Sequence, residues 1–263
     1  MPPLKRDQTN RRPPTLGRPF LGIMACNNLM NQNEIISHHE MCGREGLSLQ
    51  RGMNFNQPPS ISIVLSSHRP GAPYEDRLEE DGTVLIYEGH DEPRSAACPN
   101  PKLADQPLAT RSGRLTQNGR FHEAAQAYSK GTAPAARVRV YEKIKNGIWS
   151  YNGLFSLEDS WTETVHDRRV FKFKLRAIDD IQAVVPQDGA RTISDDGHLR
   201  VIPTWVKLAV WKRDKGACVR CGTTRNLHFD HILPYSKGGT SESVENIQLL
   251  CMKHNIQKGA RLI

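Results

Sequence analysis

Residues 218–258 read CVRCGTTRNLHFDHILPYSKGGTSESVENIQLLCMKHNIQK, and they decide how the chain is to be understood. The stretch holds two close pairs of soft metal ligands, Cys218/Cys221 and Cys251/His254. Four such ligands in two short pairs suit one tetrahedral Zn²⁺, and the metal would fasten the two ends of a loop of ~30 residues. With all four positions filled by protein, no coordination site is left for a substrate. The zinc is therefore expected to be structural.

That leaves Asp230, His231, Asn246 and Asn255 without a role. LHFDHILP (227–234) alternates apolar and polar residues and reads as a strand ending at Pro234, followed by an open Gly-rich loop at 236–240. Residues 251–260 lack Pro, have no Gly before Gly259, and read as a helix. Strand, loop, strand and helix fastened by zinc would gather a carboxylate, an imidazole and an amide around one small cavity. Phosphodiester hydrolysis needs such a set: oxygen donors for a hard cation, and a base with a pKa near neutrality to activate water.

These residues carry a resemblance. Cys-x-x-Cys, Asp-His-Ile-x-Pro, Gly-Gly, Asn-x-x-x-Leu-Cys and a closing His or Asn make the segment similar to the zinc-stabilised HNH (ββα-metal) endonucleases. The likeness implies His231 as general base and Asp230 and Asn255 as ligands of a catalytic Mg²⁺ or Mn²⁺. Asn246 would hold the loop that orients His231, and Zn²⁺ would sit on Cys218, Cys221, Cys251 and His254. The second pair departs from the more usual Cys-x-x-Cys, so His254 and Asn255 could exchange roles. His228 either touches the scissile phosphate or is an ordinary strand histidine. Lys253, Lys258 and Arg261, on or beyond the closing helix, are candidates for contacts to the DNA backbone.

The rest of the chain fits a nucleic-acid partner. Of 263 residues 37% are hydrophobic, and no run nears the ~18 apolar residues of a membrane span. No membrane partner is expected. The net charge of +8 is uneven: residues 201–263 hold ten Lys/Arg against four acids, and residues 1–20 hold five against one. Positive charge thus gathers where a polyanion would be cut, and on the opening segment. That opening, MPPLKRDQTNRRPP, lacks the apolar core of a signal peptide. Three of six cysteines are claimed by zinc and the others are scattered, so a reducing cytoplasm is expected.

Between Pro59 and Arg176 the pattern is that of short strands: 61–66, 83–87, 136–141, a pair within 148–157 broken at Gly153, and 170–176. In the last, Phe171, Phe173 and Leu175 should face inward, with Lys172, Lys174 and Arg176 outward. YEDRLEEDG (74–82) reads as a connection, and GRFHEAAQAY (119–128) as the one helix. Residues 20–59 give only weak signals. Many short strands with one helix suggest a compact barrel.

With SIVLS (62–66), Tyr74-Glu75-Asp76 and Tyr87-Glu88-Gly89 in that order, this region in turn resembles the SRA (YDG) domains, PUA-like barrels that flip a modified cytosine out of duplex DNA. The landmarks are SIVLS (62–66), Tyr74-Glu75-Asp76, Asp81-Gly82, Tyr87-Glu88-Gly89, Asp105-Gln106, Arg137-Val138-Arg139-Val140, Tyr151-Asn152-Gly153 and Val170–Leu175. A flipped base needs flat partners and an acceptor for its exocyclic amine. The resemblance implies Tyr74 and Tyr87 as the sandwich and Asp76 as the acceptor from cytosine N4. Asn152 stands where the family has the Asp of Tyr-Asp-Gly. His90-Asp91-Glu92 replaces a Gly-rich stretch, and Glu88, in place of a usual Thr beside the pocket, suggests a preference for a hydroxylated base.

Residues 181–201 are polar and read as a linker. A helix is expected from Pro203 to Asp214, with Pro in its first turn. Trp205, Leu208 and Ala209 would pack on the zinc module, and Lys207 and Lys212 would be turned away. The whole reads as an α+β protein: a basic tail without order (1–19), an SRA-like β-barrel (20–180), a linker (181–201) and an HNH domain (202–263). The implied function is modification-dependent cleavage of double-stranded DNA carrying 5-methylcytosine or 5-hydroxymethylcytosine, of a type IV-like restriction kind, by a homodimer in a prokaryotic cytoplasm. Two other readings remain: an HNH nuclease indifferent to modification, and a non-catalytic zinc-stabilised DNA-binding regulator.

Overall fold

The computed structural model describes residues 31–178, 201–234 and 237–259. The expected basic tail, most of the linker and Arg261 lie outside them. Among the described residues no helix is long and apolar enough to cross a membrane.

The larger body is one eight-stranded sheet. Its path runs β2 (Met53–Asn54), β3 (Ser62–Ser66), β6 (Ala136–Lys145), β7 (Ile148–Val165), β8 (Arg168–Ile178), β5 (Val84–Glu88) and β4 (Arg77–Glu79), with β1 (Ile35–Ser37) added on β7. All pairings are antiparallel except β3 with β6. The hydrophobic alternation in 168–178 holds for its apolar members: Phe171, Phe173 and Leu175 are buried. α2 (Gln117–Ser129) lies on the same core, where Phe121 meets Phe55 edge-on at 5.2 Å and Phe173 at 5.8 Å. Thr116 starts this helix by accepting a hydrogen bond from the Gly119 N–H.

Several expectations need correcting. The 74–82 connection contains a strand, β4, paired with β5. Residues 148–157 are not a pair broken at Gly153 but part of one 18-residue strand. Val140 pairs with Gly153 and Tyr141 with Tyr151, so Asn152 is an extra residue in a bulge, and Gly153 takes φ +112°. The weak stretch before Pro59 holds a helix, α1 (His38–Glu45). A capping box starts it, Ser37 with Glu40, and Gly46 ends it in the left-handed conformation. Lys172, expected outward, is fully buried because its ammonium meets Glu88 at 2.9 Å.

The smaller body has β9 (Leu227–His231) antiparallel to β10 (Ile247–Cys251), flanked by α3 (Thr204–Arg213) and α4 (Met252–Lys258). Its core joins Ile202, Val206 and Val210 to Phe229, Ile247 and Leu249. The packing face of α3 is thus Val206/Val210 rather than Trp205/Leu208/Ala209. Trp205 is 58% exposed, while Lys207 is fully buried. The reason lies across the seam between the two bodies, where Lys207 finds Glu142 of β6. The seam is also stitched by backbone: Asn33 N–H donates to Tyr151, Tyr151 N–H to Glu34, and Phe229 N–H to Asn33.

Candidate functional site

The two ligand pairs meet. The Cys218, Cys221 and Cys251 sulfurs and a His254 ring nitrogen all lie within 4.8 Å of one another. His254 Nδ1 is 3.4 Å from both Cys218 Sγ and Cys251 Sγ, and Cys221 Sγ is 3.9 Å from Cys251 Sγ. Tetrahedral edges around zinc, with Zn–S about 2.3 Å and Zn–N about 2.0 Å, come to roughly 3.5–3.8 Å, so the set fits Zn²⁺. The knuckle forms because the Cys218 N–H donates to Thr223 and the Gly222 N–H to Cys218. Burial pushes the Cys218 thiol up, but peptide groups of Cys251 and Arg220 and the His254 ring outweigh it and bring it down to about 6. Of the neighbours His254 and Asn255, it is His254 that sits with the sulfurs.

The second constellation lies at the other end of the same hairpin. Asp230 faces Gln248 across the ladder, and its Oδ2 accepts from Gln248 Nε2 at 3.1 Å. Lys258 Nζ lies 3.1 Å from the same oxygen and donates to the His231 carbonyl at 2.6 Å. Lys258, expected at the DNA backbone, is instead 2% exposed and committed to Asp230. Lys253 is exposed. Asn255, half-buried, lies on α4 three residues before Lys258.

His231 Nε2 is 2.9 Å from Ser241 Oγ, and among the described residues Nδ1 has no partner. Burial holds its pKa below the ordinary value, Asp230 opposes that, and Lys258 adds to it. A neutral imidazole with one free nitrogen is what a general base requires. Asn246 fixes the intervening loop from both sides: Oδ1 accepts from the Leu233 N–H at 2.8 Å, and Nδ2 donates to the Leu233 and Thr240 carbonyls. Gly239 makes that closure possible, since a Cβ there would lie 1.8 Å from the Leu233 carbonyl oxygen. His228 is 1% exposed, bridged to Glu34 at the seam, and so is a buried strand residue.

In the larger body a cavity of about 520 Å³ is lined by Tyr74, Asp76, Ser67, His90, Trp149 and Gln50, among others. Asp76 accepts from the Glu88 N–H at 2.9 Å and from the Ser67 N–H at 3.2 Å. Burial raises its pKa to about 7 against those two bonds. Tyr74 lies on this cavity, but Tyr87 does not complete a sandwich with it. Tyr87 is buried behind the wall, with its hydroxyl 2.9 Å from His90 Nε2 and bonded to the Gly52 carbonyl. The ring stacked on Tyr74 is that of His90, at 4.8 Å and 6°. Burial takes His90 down to about 4, so it is neutral. Glu88 does not line the cavity either; its carboxylate is held by Lys172 and Arg168 at 2.9 and 3.3 Å. His90 and Trp149 went unassigned in the sequence. For His90 the available signal was its place in an expected Gly-rich stretch.

A SAD/SRA domain family model matches residues 33–181, more than half of the chain. This chain belongs to the SAD/SRA family. An HNH endonuclease model matches residues 218–261, so the chain joins an SRA domain to an HNH nuclease domain. Similar solved structures include SUVH5 SRA with fully methylated CG DNA, 26% identical over 53% of this chain and 82% of that one, TM-score 0.38. SUVH5 SRA bound to fully hydroxymethylated CG DNA is 25% identical over 53% and 83%, TM-score 0.38. Arabidopsis thaliana SUVH6 in complex with SAM is 21% identical over 57% and 26%, TM-score 0.37. No curated protein matches the chain.

Proposed function

We propose that this protein is a modification-dependent DNA endonuclease of type IV-like restriction character. Its SRA domain takes a flipped 5-methylcytosine or 5-hydroxymethylcytosine into the 520 Å³ cavity, and its HNH domain cuts a nearby phosphodiester. The observation that carries the reading is the pairing, in one chain, of a buried carboxylate beside an aromatic ring with a neutral histidine beside a metal-type carboxylate. Asp76 accepts from the N4 amine while Tyr74 stacks on the base. His90 must leave or share the face of Tyr74 for the base to enter.

At the nuclease site His231 Nδ1 takes the proton from the attacking water, and Ser241 holds the other ring nitrogen. Asp230 and Asn255 offer hard oxygen donors that fit a Mg²⁺ or Mn²⁺ ion, which when bound supplies charge neutralisation at the scissile phosphate. Gln248 and Lys258 hold Oδ2 of Asp230, and Lys258 also reaches Oδ1 at 3.4 Å, which fixes the carboxylate in place. Lys253, exposed on α4, would meet a backbone phosphate. One such site cuts one strand, so a double-strand break takes a homodimer or two encounters.

The test is cleavage of one plasmid in unmodified, 5-methylcytosine and 5-hydroxymethylcytosine forms, with wild type beside His231→Ala. Cutting confined to a modified form and lost in the variant is expected. Equal cutting of all three forms removes the modified-base reader. Cutting that survives His231→Ala removes the assigned base.

A further inference from the structure

A second hollow, of about 580 Å³, lies against the first, and His90 lines both. Arg51, Arg114 and Arg120 line it, with Thr110, Ser112 and Gln117 among the polar groups between them. All three guanidiniums are on exposed residues, and among the described residues none has an acid partner. Arg44, Arg139, Arg168, Arg169 and Arg176 of the same domain, by contrast, each hold a carboxylate. The one acid in the lining, Asp91, is already held by Arg168 at 2.6 Å and Lys102 at 2.9 Å. The hollow therefore offers three uncommitted positive charges, and its only negative charge is neutralised.

Exposed arginines brought together without acids repel one another, and neither the sheet nor α2 needs them there. Arg51 comes from the loop before β2, Arg114 from the loop before α2, and Arg120 from α2 itself. Three separate segments thus deliver the same chemistry to one place, next to the opening that Tyr74 and Asp76 line. A nucleotide turned out of a duplex keeps its covalent link to the strand on both sides, so phosphates must lie beside whatever cavity takes the base. Arginine is the side chain whose fork best matches a phosphate.

We infer that the hollow lined by Arg51, Arg114 and Arg120 is a phosphodiester-binding groove. It holds the DNA strand flanking the extruded nucleotide, with His90 as the wall between base and backbone. This rests on the reading that the first cavity takes a flipped base. The groove fixes the register of the strand and is indifferent to sequence and to modification.

The experiment uses the full chain and a short duplex with one modified cytosine, alongside its unmodified twin, and measures affinity from 50 to 200 mM salt. Each phosphate contact contributes about 0.9 to the slope of log affinity against log salt. The triple variant Arg51→Gln, Arg114→Gln, Arg120→Gln should lose about 2.7 from that slope. Over this fourfold range wild type then weakens about 40-fold more than the variant. The preference for modified over unmodified DNA should be unchanged, and the matching triple Lys variant should keep the wild-type slope. An unchanged slope in the Gln variant overturns the groove, as does a Lys variant that behaves like the Gln one. If wild type shows no preference for the modified duplex, base reading fails, while the slope still decides the groove by itself.

Discussion

The ammonium of Lys207 lies 2.7 Å from the carboxylate of Glu142, and both residues are fully buried at the seam between nuclease and SRA domain. Lys207 also donates to Asn152 Oδ1 at 2.7 Å, Asn152 Nδ2 donates to Glu142 at 2.9 Å, and the Thr204 hydroxyl donates to Glu142 as well. Burial pushes the Glu142 carboxyl up, but Lys207 and His68 outweigh it and hold it below the ordinary range. The cluster accounts for Asn152 in place of aspartate. A second carboxylate there would face Glu142, whereas the amide serves both partners.

Lys207→Met should therefore destabilise the protein by about 3–5 kcal/mol, because it leaves Glu142 buried without a counter-charge. Adding Glu142→Gln should restore most of that loss. Denaturant unfolding of the two variants and wild type checks it; a double variant no more stable than the single one would contradict the pairing.

Gly239 is held where a side chain would strike the Leu233 carbonyl and crowd Asn246. Gly239→Ala should displace the loop by enough to slow cleavage about 10²-fold, the usual cost of misplacing a catalytic group by about 1 Å. Affinity for modified DNA should stay near wild type. Single-turnover cleavage with binding measured in parallel separates the two effects.

Asp76 titrates near 7 because burial favours its neutral form. Only the ionised carboxylate is a pure acceptor for the N4 amine of cytosine. The ionised fraction grows as pH rises through about 7, so affinity for the modified duplex should climb between about pH 6 and pH 8 and then level. Asp76→Asn should flatten that profile. An affinity for modified DNA that is flat over this range in wild type would remove Asp76 from recognition.

Cys218 and Cys251 belong to the core of the nuclease domain as well as to the ligand set. Metal analysis should find one zinc per chain, and a chelator should unfold this domain and abolish cleavage. The SRA domain has its own core and should go on binding modified DNA. Loss of zinc with cleavage intact would refute a structural role.

The sequence alone determined what depends on neighbours in the chain. Cys-x-x-Cys and Cys-x-x-His announce a metal because two ligands with two residues between them reach one ion. The alternation of Phe171, Phe173 and Leu175 announces a buried strand face because side chains of a strand alternate. Helix α1 was also within reach, through Ser37 and Glu40, although no apolar period marks it. Three lysines that read as solvent-facing or DNA-facing take their places from contacts distant in sequence. Lys172, Lys207 and Lys258 are all buried, because Glu88, Glu142 and Asp230 stand against them from 84, 65 and 28 residues away in the chain. The same holds for the base cavity. Tyr87 turns behind the wall and His90 takes the face of Tyr74, because the Tyr87 hydroxyl is fixed by the Gly52 carbonyl on another strand's approach. Periodicity records how polar a residue is. Whether that polarity meets water, a counter-charge or a ligand is settled by which distant segments the fold brings together.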